Sequence, residues 1–316
     1  MQTELSKRLG IRYPIVQAGM VWTSGSKLAI AAARAGALGL IGSGSMKPEL
    51  FAEHIRKAKA TEVADTIGVN IPLIRGDVDA LVQTAIDEGV KIVFTSAGNP
   101  KVHSEKIKNA GCFLVHVVAN VKQAKKAVEA GCDAVVAEGF EAGGHNGIDE
   151  ITTLCLVPQV VDAVTVPVIA AGGIADGRQI LAALALGAQA VQIGTRFAAT
   201  IEASSHLNFK QAIASADDNA TILTLKKVAP VRLKKNNFAL RSQQAEANGA
   251  TKEEELELLG RKREMNGIFE GDLDEGELEM GQSSGLVKDI ISAEEVVQRL
   301  VAEYNAVRER MLSYEF

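Results

Sequence analysis

The sequence predicts a (β/α)8 barrel, an α/β TIM barrel, carrying a mostly helical insertion after its eighth strand. Three observations point to it. Short apolar runs alternate with helical patterns from residue 15 onward. The pair Ala-Gly or Leu-Gly recurs where helices should end, at Gly36, Gly111, Gly131 and Gly187, so one βα unit is being repeated. The strand-like runs are apolar throughout rather than alternating, as strands covered on both faces are. A doubly wound open sheet is the main rival. It is disfavoured because the glycine turns suited to phosphate fall late in the chain, not after the first strand.

Each unit can be read in order. Residues 15–18 form the first strand and run into Gly19-Met20. A helix over 27–35 follows. Strand two, 38–41, leads to Gly42-Ser43-Gly44, and Pro48 opens the next helix, because proline is tolerated in a first helical turn. Strand three, 67–71, carries Asn70, and Asp77 is placed to cap the helix that reaches Glu88. Strand four is 92–95 and strand five 113–118, with Asn120 capping the helix beyond it. Strand six, 134–137, opens into the loop 138–145, and a helix covers 154–164. Strand seven, 167–171, ends in Gly172-Gly173. The helix 176–186 and strand eight, 190–193, end in Gly194-Thr195-Arg196.

The rhythm stops after Phe197. Residues 200–280 hold a basic run (Lys226, Lys227, Arg232, Lys234, Lys235) and an acidic helix around 253–257. They read as a helical lid over the barrel mouth, and 1–199 with 281–316 read as the barrel. The amphipathic pattern over 293–311 supplies the helix owed to strand eight.

Composition bounds the function. The 316 residues are 47% hydrophobic and 23% charged, enough for a large core, and the net charge is −5. An acidic chain with one tryptophan, Trp22, is not built to hold nucleic acid. Three cysteines without a CxxC pair fit a reducing compartment. No apolar leader or membrane-length run is present, so a cytoplasmic location without membrane partners is expected. Cys155 and His116 are expected in the core, and His54, His103 and His206 in solvent.

In a barrel the carboxyl ends of all strands share one face. The residues gathered there are rich in glycine and amide and poor in charge. They include Gly19, Met20, Gly42, Ser43, Asn70, Glu138, Gly172, Gly173, Gln192, Gly194 and Thr195. No metal-ligand set is expected, since His145 and Glu138 do not make one. Two phosphate nests, amides and little acid suit a flat phosphorylated cofactor that supplies the chemistry. FMN fits better than NAD, with one pair of nests and no early GxGxxG. His145, in a glycine-rich turn on this face, is the candidate catalytic group, against the plainer reading of a loop histidine bonded to a carbonyl. Glu138 reads equally as a structural carboxylate or a participant.

Three stretches carry a resemblance: AEGFEAGGH at 137–145, PVIAAGGI at 167–174 and VQIGTRF at 191–197. They resemble the FMN-dependent nitronate monooxygenase (2-nitropropane dioxygenase) superfamily. Within it the chain is most similar to the flavin-dependent enoyl-[acyl-carrier-protein] reductase II branch. Glu138, where nitronate oxidisers more often carry glutamine, and Met280-Gly281-Gln282 point to that branch. The latter is one residue shorter than the reductases' Met-x-Gly-Gln, and Pro230-Val231-Arg232 also departs from them.

The resemblance implies that Ala18, Gly19, Met20, Gly42, Ser43, Asn70, Glu138, Gly143, Gly144, Gly172, Gly173, Gln192, Gly194 and Thr195 surround FMN. It implies that Met280 and Gln282 close the site and that His145 is catalytic. The implied activity is reduction of trans-2-enoyl thioesters by NADH or NADPH in fatty-acid synthesis, on acyl carrier protein or CoA, by a homodimer that a monovalent cation can activate. The alternative is a nitronate monooxygenase using dioxygen. A third reading is a flavin-binding barrel without turnover. The basic run would be a landing patch for the carrier protein or NADPH phosphate, or else plain solvated surface.

Overall fold

The computed structural model describes residues 2–314. Eight parallel strands close into a barrel: β1 (Ile15–Gln17), β2 (Leu38–Gly42), β3 (Ile67–Pro72), β4 (Ile92–Ser96), β5 (Phe113–Val118), β6 (Ala134–Glu138), β8 (Val168–Ala171) and β9 (Ala190–Ile193). The two-residue β7 (Gly144–His145) stands outside it. Closure comes from β9 pairing with β1, Val16 beside Gln192.

Successive side chains on a strand point to opposite faces, and here both faces are apolar. Val16, Leu38, Leu40, Phe94, Val115, Val136 and Ile169 fill the barrel interior. Ile15, Ile41, Val69, Val93, Leu114, Val135 and Ala170 meet the helices outside. A short helix not foreseen in the sequence, Glu4–Arg8, plugs the barrel floor with Leu5, followed by Leu9 and Ile11. The expected final helix is present as Ala293–Leu312. It packs against Gly177–Ala185 and Ser26–Arg34, completing the outer ring.

Local signals behave as their chemistry dictates, with one exception. The repeated glycines Gly36, Gly111, Gly131 and Gly187 have φ of +96°, +76°, +89° and +96°, the left-handed ends of their helices. Asn120 caps its helix by accepting from the Gln123 N–H at 2.9 Å. Asp77 does not cap: its carboxylate is taken by the Arg75 guanidinium at 2.6 and 2.8 Å. No described helix is long and apolar enough to cross a membrane.

The segment 200–280 differs from the mostly helical expectation. It holds helices Leu207–Ala214, Asn237–Ala247 and Lys252–Leu259 and a π-helical turn Met265–Phe269. It also holds an antiparallel hairpin, β10 (Thr221–Thr224) and β11 (Val231–Lys234). Ile222, Val231 and Leu233 alternate inward to pack on Phe238 and Ala239. The intervening lysines hide this two-residue period in the sequence. Lys226 sits in the turn, paired with Glu150, and the Lys227 ammonium donates to the Gly249 and Ala250 carbonyls. Arg232, 3% exposed, is inside, so the basic run is not one surface.

Four further expectations about burial are corrected or upheld. Cys155 is exposed, on the solvent side of helix Thr153–Ala163, whereas Cys112 and Cys132 are buried. His103 is buried, not solvated, and half-buried His54 accepts from the Ser26 N–H at 2.9 Å. His116 is the expected core histidine. Its Nδ1 lies 2.8 Å from the Thr95 hydroxyl, and burial pushes its pKa down to about 4.

Candidate active site

A cavity of about 460 Å³ opens at the carboxyl ends of the barrel strands. From β1 come Ala18, Gly19 and Met20; from β3, Asn70; from β6, Glu138; from β9 and its loop, Gln192, Gly194 and Thr195. Gly143 and His145 line it from the loop after β6, and Gly172 and Gly173 from the loop after β8. The later segments contribute Phe209, Glu264, Ile268, Glu279, Gly281 and Ser283.

Gly172 and Gly173 are consecutive left-handed residues, φ +88° and +70°. Glycine adopts this conformation freely, and such a turn lets an anion approach the backbone N–H groups closely. A Cβ on Gly172 would stand 2.5 Å from the Gly139 carbonyl oxygen. The turn is buttressed by Thr153, whose hydroxyl lies 2.9 Å from the Gly172 carbonyl and whose N–H donates to Glu141 at 2.9 Å. Glu141 is thus a structural carboxylate. Glu138 is not: among the described residues its carboxyl has no hydrogen-bond partner, and burial pushes its pKa up to about 7.

His145 is held by pairing β7 with β11, with His145 opposite Val231 and Gly144 opposite Arg232. Arg232 locks the same loop. Its Nε donates to the Phe140 carbonyl at 2.9 Å, and its guanidinium lies 5.0 Å from the Phe140 ring centre. The imidazole is half exposed, with Nδ1 3.7 Å from Glu279 Oε1.

Five predicted residues do not line the cavity. Gly42 supports the loop after β1 from behind, where a Cβ would meet the Met20 oxygen at 2.7 Å. Ser43 is fully buried beside it. Gly144 lies against Glu279. Met280 is fully buried in the roof core with Phe209 and Ile268, because Gly143 packs on its backbone and the thioether turns into the apolar layer. Gln282 is exposed, and only its N–H engages the loop, donating to the Glu141 carbonyl at 2.9 Å.

The expectation of a charge-poor pocket is corrected. Glu264 and Glu279 join Glu138 in the lining, and donor atoms of His145, Glu264 and Glu279 lie within 4.8 Å of one another. No spacing rule links three such distant segments. The one signal was acids flanking Leu278 in a run that ends in buried Met280. Arg75, also in the lining, is spent on Asp77 and on the Gly44 and Met46 carbonyls.

The residues present fit a flavin mononucleotide. The glycine nest offers N–H groups to a phosphate, and the buried amides of Asn70 and Gln192 face the same space. The volume also falls within the roughly 300–1,000 Å³ of organic-ligand sites.

A βα barrel with a glycine nest after β8 and a histidine-bearing loop after β6 defines a class. The chain matches the nitronate monooxygenase family over residues 2–303 and belongs to it. Its structure is similar to that of FabK from Thermotoga maritima, with TM-score 0.94 and 38% identity over 100% of both chains. It is 37% identical over 71% of its length to (3aS,4S,5R,7aS)-5-hydroxy-7a-methyl-1-oxo-octahydro-1H-indene-4-carboxyl-CoA dehydrogenase of Mycobacterium tuberculosis, and spans 63% of that protein. It is 32% identical over 70% of its length to a probable nitronate monooxygenase of Staphylococcus haemolyticus, spanning 74% of it.

Proposed function

We propose that the protein is an FMN-dependent reductase of 2-enoyl thioesters that takes its electrons from NADH or NADPH. The observation that carries this reading is the full-length likeness to FabK, lid included, at 38% identity. The name of the mycobacterial relative, a CoA-ester dehydrogenase, also favours a thioester substrate. In this reading 1–199 with 281–316 act as the flavin barrel and 200–280 as the lid.

Gly172, Gly173, Gly194 and Thr195 would hold the phosphate of FMN, and Gly19, Met20, Asn70, Glu138 and Gln192 would flank its ring. When bound, FMN supplies hydride transfer between the nicotinamide and the β-carbon of the substrate. This chain's part is to position, to exclude water and to manage a proton. Hydride arrival at the β-carbon builds negative charge on the thioester oxygen, and a fixed donor there lowers the barrier by about 3 kcal/mol. His145 is the residue that would donate to that oxygen or protonate the α-carbon. Phe209 and Ile268 roof the cavity and would help to exclude water from the reacting atoms.

A second reading, nitronate monooxygenase, is favoured by the names of the staphylococcal relatives. There His145 would remove the proton beside the nitro group. Anaerobic NAD(P)H oxidation with crotonyl-CoA, set against oxygen uptake with propyl nitronate, separates the two. Thioester-dependent NAD(P)H oxidation supports the reductase. Oxygen uptake alone supports the monooxygenase. Flavin-bound protein active in neither would refute both.

A further inference from the structure

The cluster around His145 contains a carboxyl that the mechanism above does not use. Glu279 and β7 come from opposite parts of the chain, yet both lie along one edge of β11. Val231 pairs with His145, Arg232 with Gly144, and Leu233 bridges to Glu279. The Lys234 N–H donates to the Leu278 carbonyl at 2.9 Å and continues that edge. One strand therefore sets the spacing of the imidazole and the carboxyl. Gly144 makes the approach possible, since a Cβ there would stand 3.0 Å from the Glu279 carboxyl carbon.

Glu279 Oε1 is buried and has no hydrogen-bond partner among the described residues. The group nearest in kind is His145 Nδ1 at 3.7 Å, longer than a hydrogen bond. Catalytic hydrogen bonds commonly tighten when substrate binds. The groups bearing on Glu279 are His145 and three more carboxyls, Glu138, Glu264 and Glu277. Arg263, the cation acting on Glu277, has its guanidinium committed to the Leu259 and Glu275 carbonyls at 2.8 and 2.7 Å. Burial, with Glu264, Glu277 and Glu138 around it, raises the Glu279 pKa well above the ordinary range and so favours the protonated carboxyl.

We infer that Glu279 is the positioning residue of His145: its protonated carboxyl donates to Nδ1 and so presents Nε2–H, not a bare nitrogen, to the cavity. An ionised carboxylate would instead accept from Nδ1–H and leave Nε2 as a base. The proton on Glu279 thereby selects a donor over a proton acceptor, which is what thioester reduction asks of this histidine. That consequence for turnover rests on the reductase reading; the tautomer itself does not.

The test is a long-range ¹H–¹⁵N correlation on histidine-labelled, FMN-loaded protein near pH 7.5, above the ordinary imidazole range. Neutral His145 should carry its proton on Nε2, and finding it on Nδ1 overturns the inference without any variant. Glu279→Gln, whose amide can still donate, should keep that tautomer, whereas Glu279→Met should lose it. With crotonyl-CoA, Glu279→Met should lower kcat about tenfold or more with KM little changed, and Glu279→Gln should recover most of the loss. Equal kcat for wild type and Glu279→Met would also overturn it. A wild-type enzyme inert toward enoyl thioesters would refute the reductase reading alone, and the tautomer measurement would still decide the role of Glu279.

Discussion

His145 can be judged by subtraction. His145→Ala removes a half-exposed side chain from a loop pinned by backbone pairing and by Arg232, so the fold and the flavin nest should persist. Positioned proton donors contribute roughly 100- to 10,000-fold. The variant should therefore keep stoichiometric flavin, measured by absorbance, and lose kcat by about that range. Glu138 has a different signature. Its folded pKa, about 7, lies above the unfolded value near 4.5, so the native state holds a proton that the unfolded chain releases. The Glu138 contribution to stability should fall as pH rises from about 4.5 to about 7 and level off above. Glu138→Gln should make the slope between about pH 4.5 and 7 shallower and melt higher than wild type at pH 8, as read by thermal denaturation across pH.

At the scale of elements, the nest after β8 and the hairpin carry separate tasks. Gly172→Ala would force a Cβ at φ +88° to within 2.5 Å of the Gly139 oxygen. The left-handed conformation alone costs about 1–2 kcal/mol, and relief of the overlap would deform the turn. The expected result is protein that folds but purifies with little flavin. The floor plug should behave in the opposite way. Leu5, 1% exposed, fills the barrel base far from the nest. Leu5→Ala should cost about 2–5 kcal/mol in denaturant unfolding and leave flavin affinity unchanged.

These elements also show how far the residues alone could be read. The barrel was legible because the βα units repeat one period and several of their helices close on a left-handed glycine. The nest was legible for the same reason, as Gly172-Gly173 and Gly194 are local features. The hairpin was not, because lysines at 226, 227, 234 and 235 masked the inward alternation of Ile222, Val231 and Leu233. Met280 was placed in the site by likeness to a family stretch, but its side chain answers to the apolar roof. Glu264 and Glu279 were invisible because only tertiary closure brings them to His145.

Across the whole molecule, the barrel and the segment 200–280 are joined by more than contact. The third strand of that segment's sheet, β7, belongs to the loop that follows β6. A retreat of the hairpin would peel β11 away from Gly144 and His145 and unmake the arrangement that aims the imidazole. Wholesale opening and readiness for chemistry thus exclude each other. Ile74, 65% exposed, borders the cavity on another flank. Entry by that flank would let a ligand come and go while the histidine stays in place.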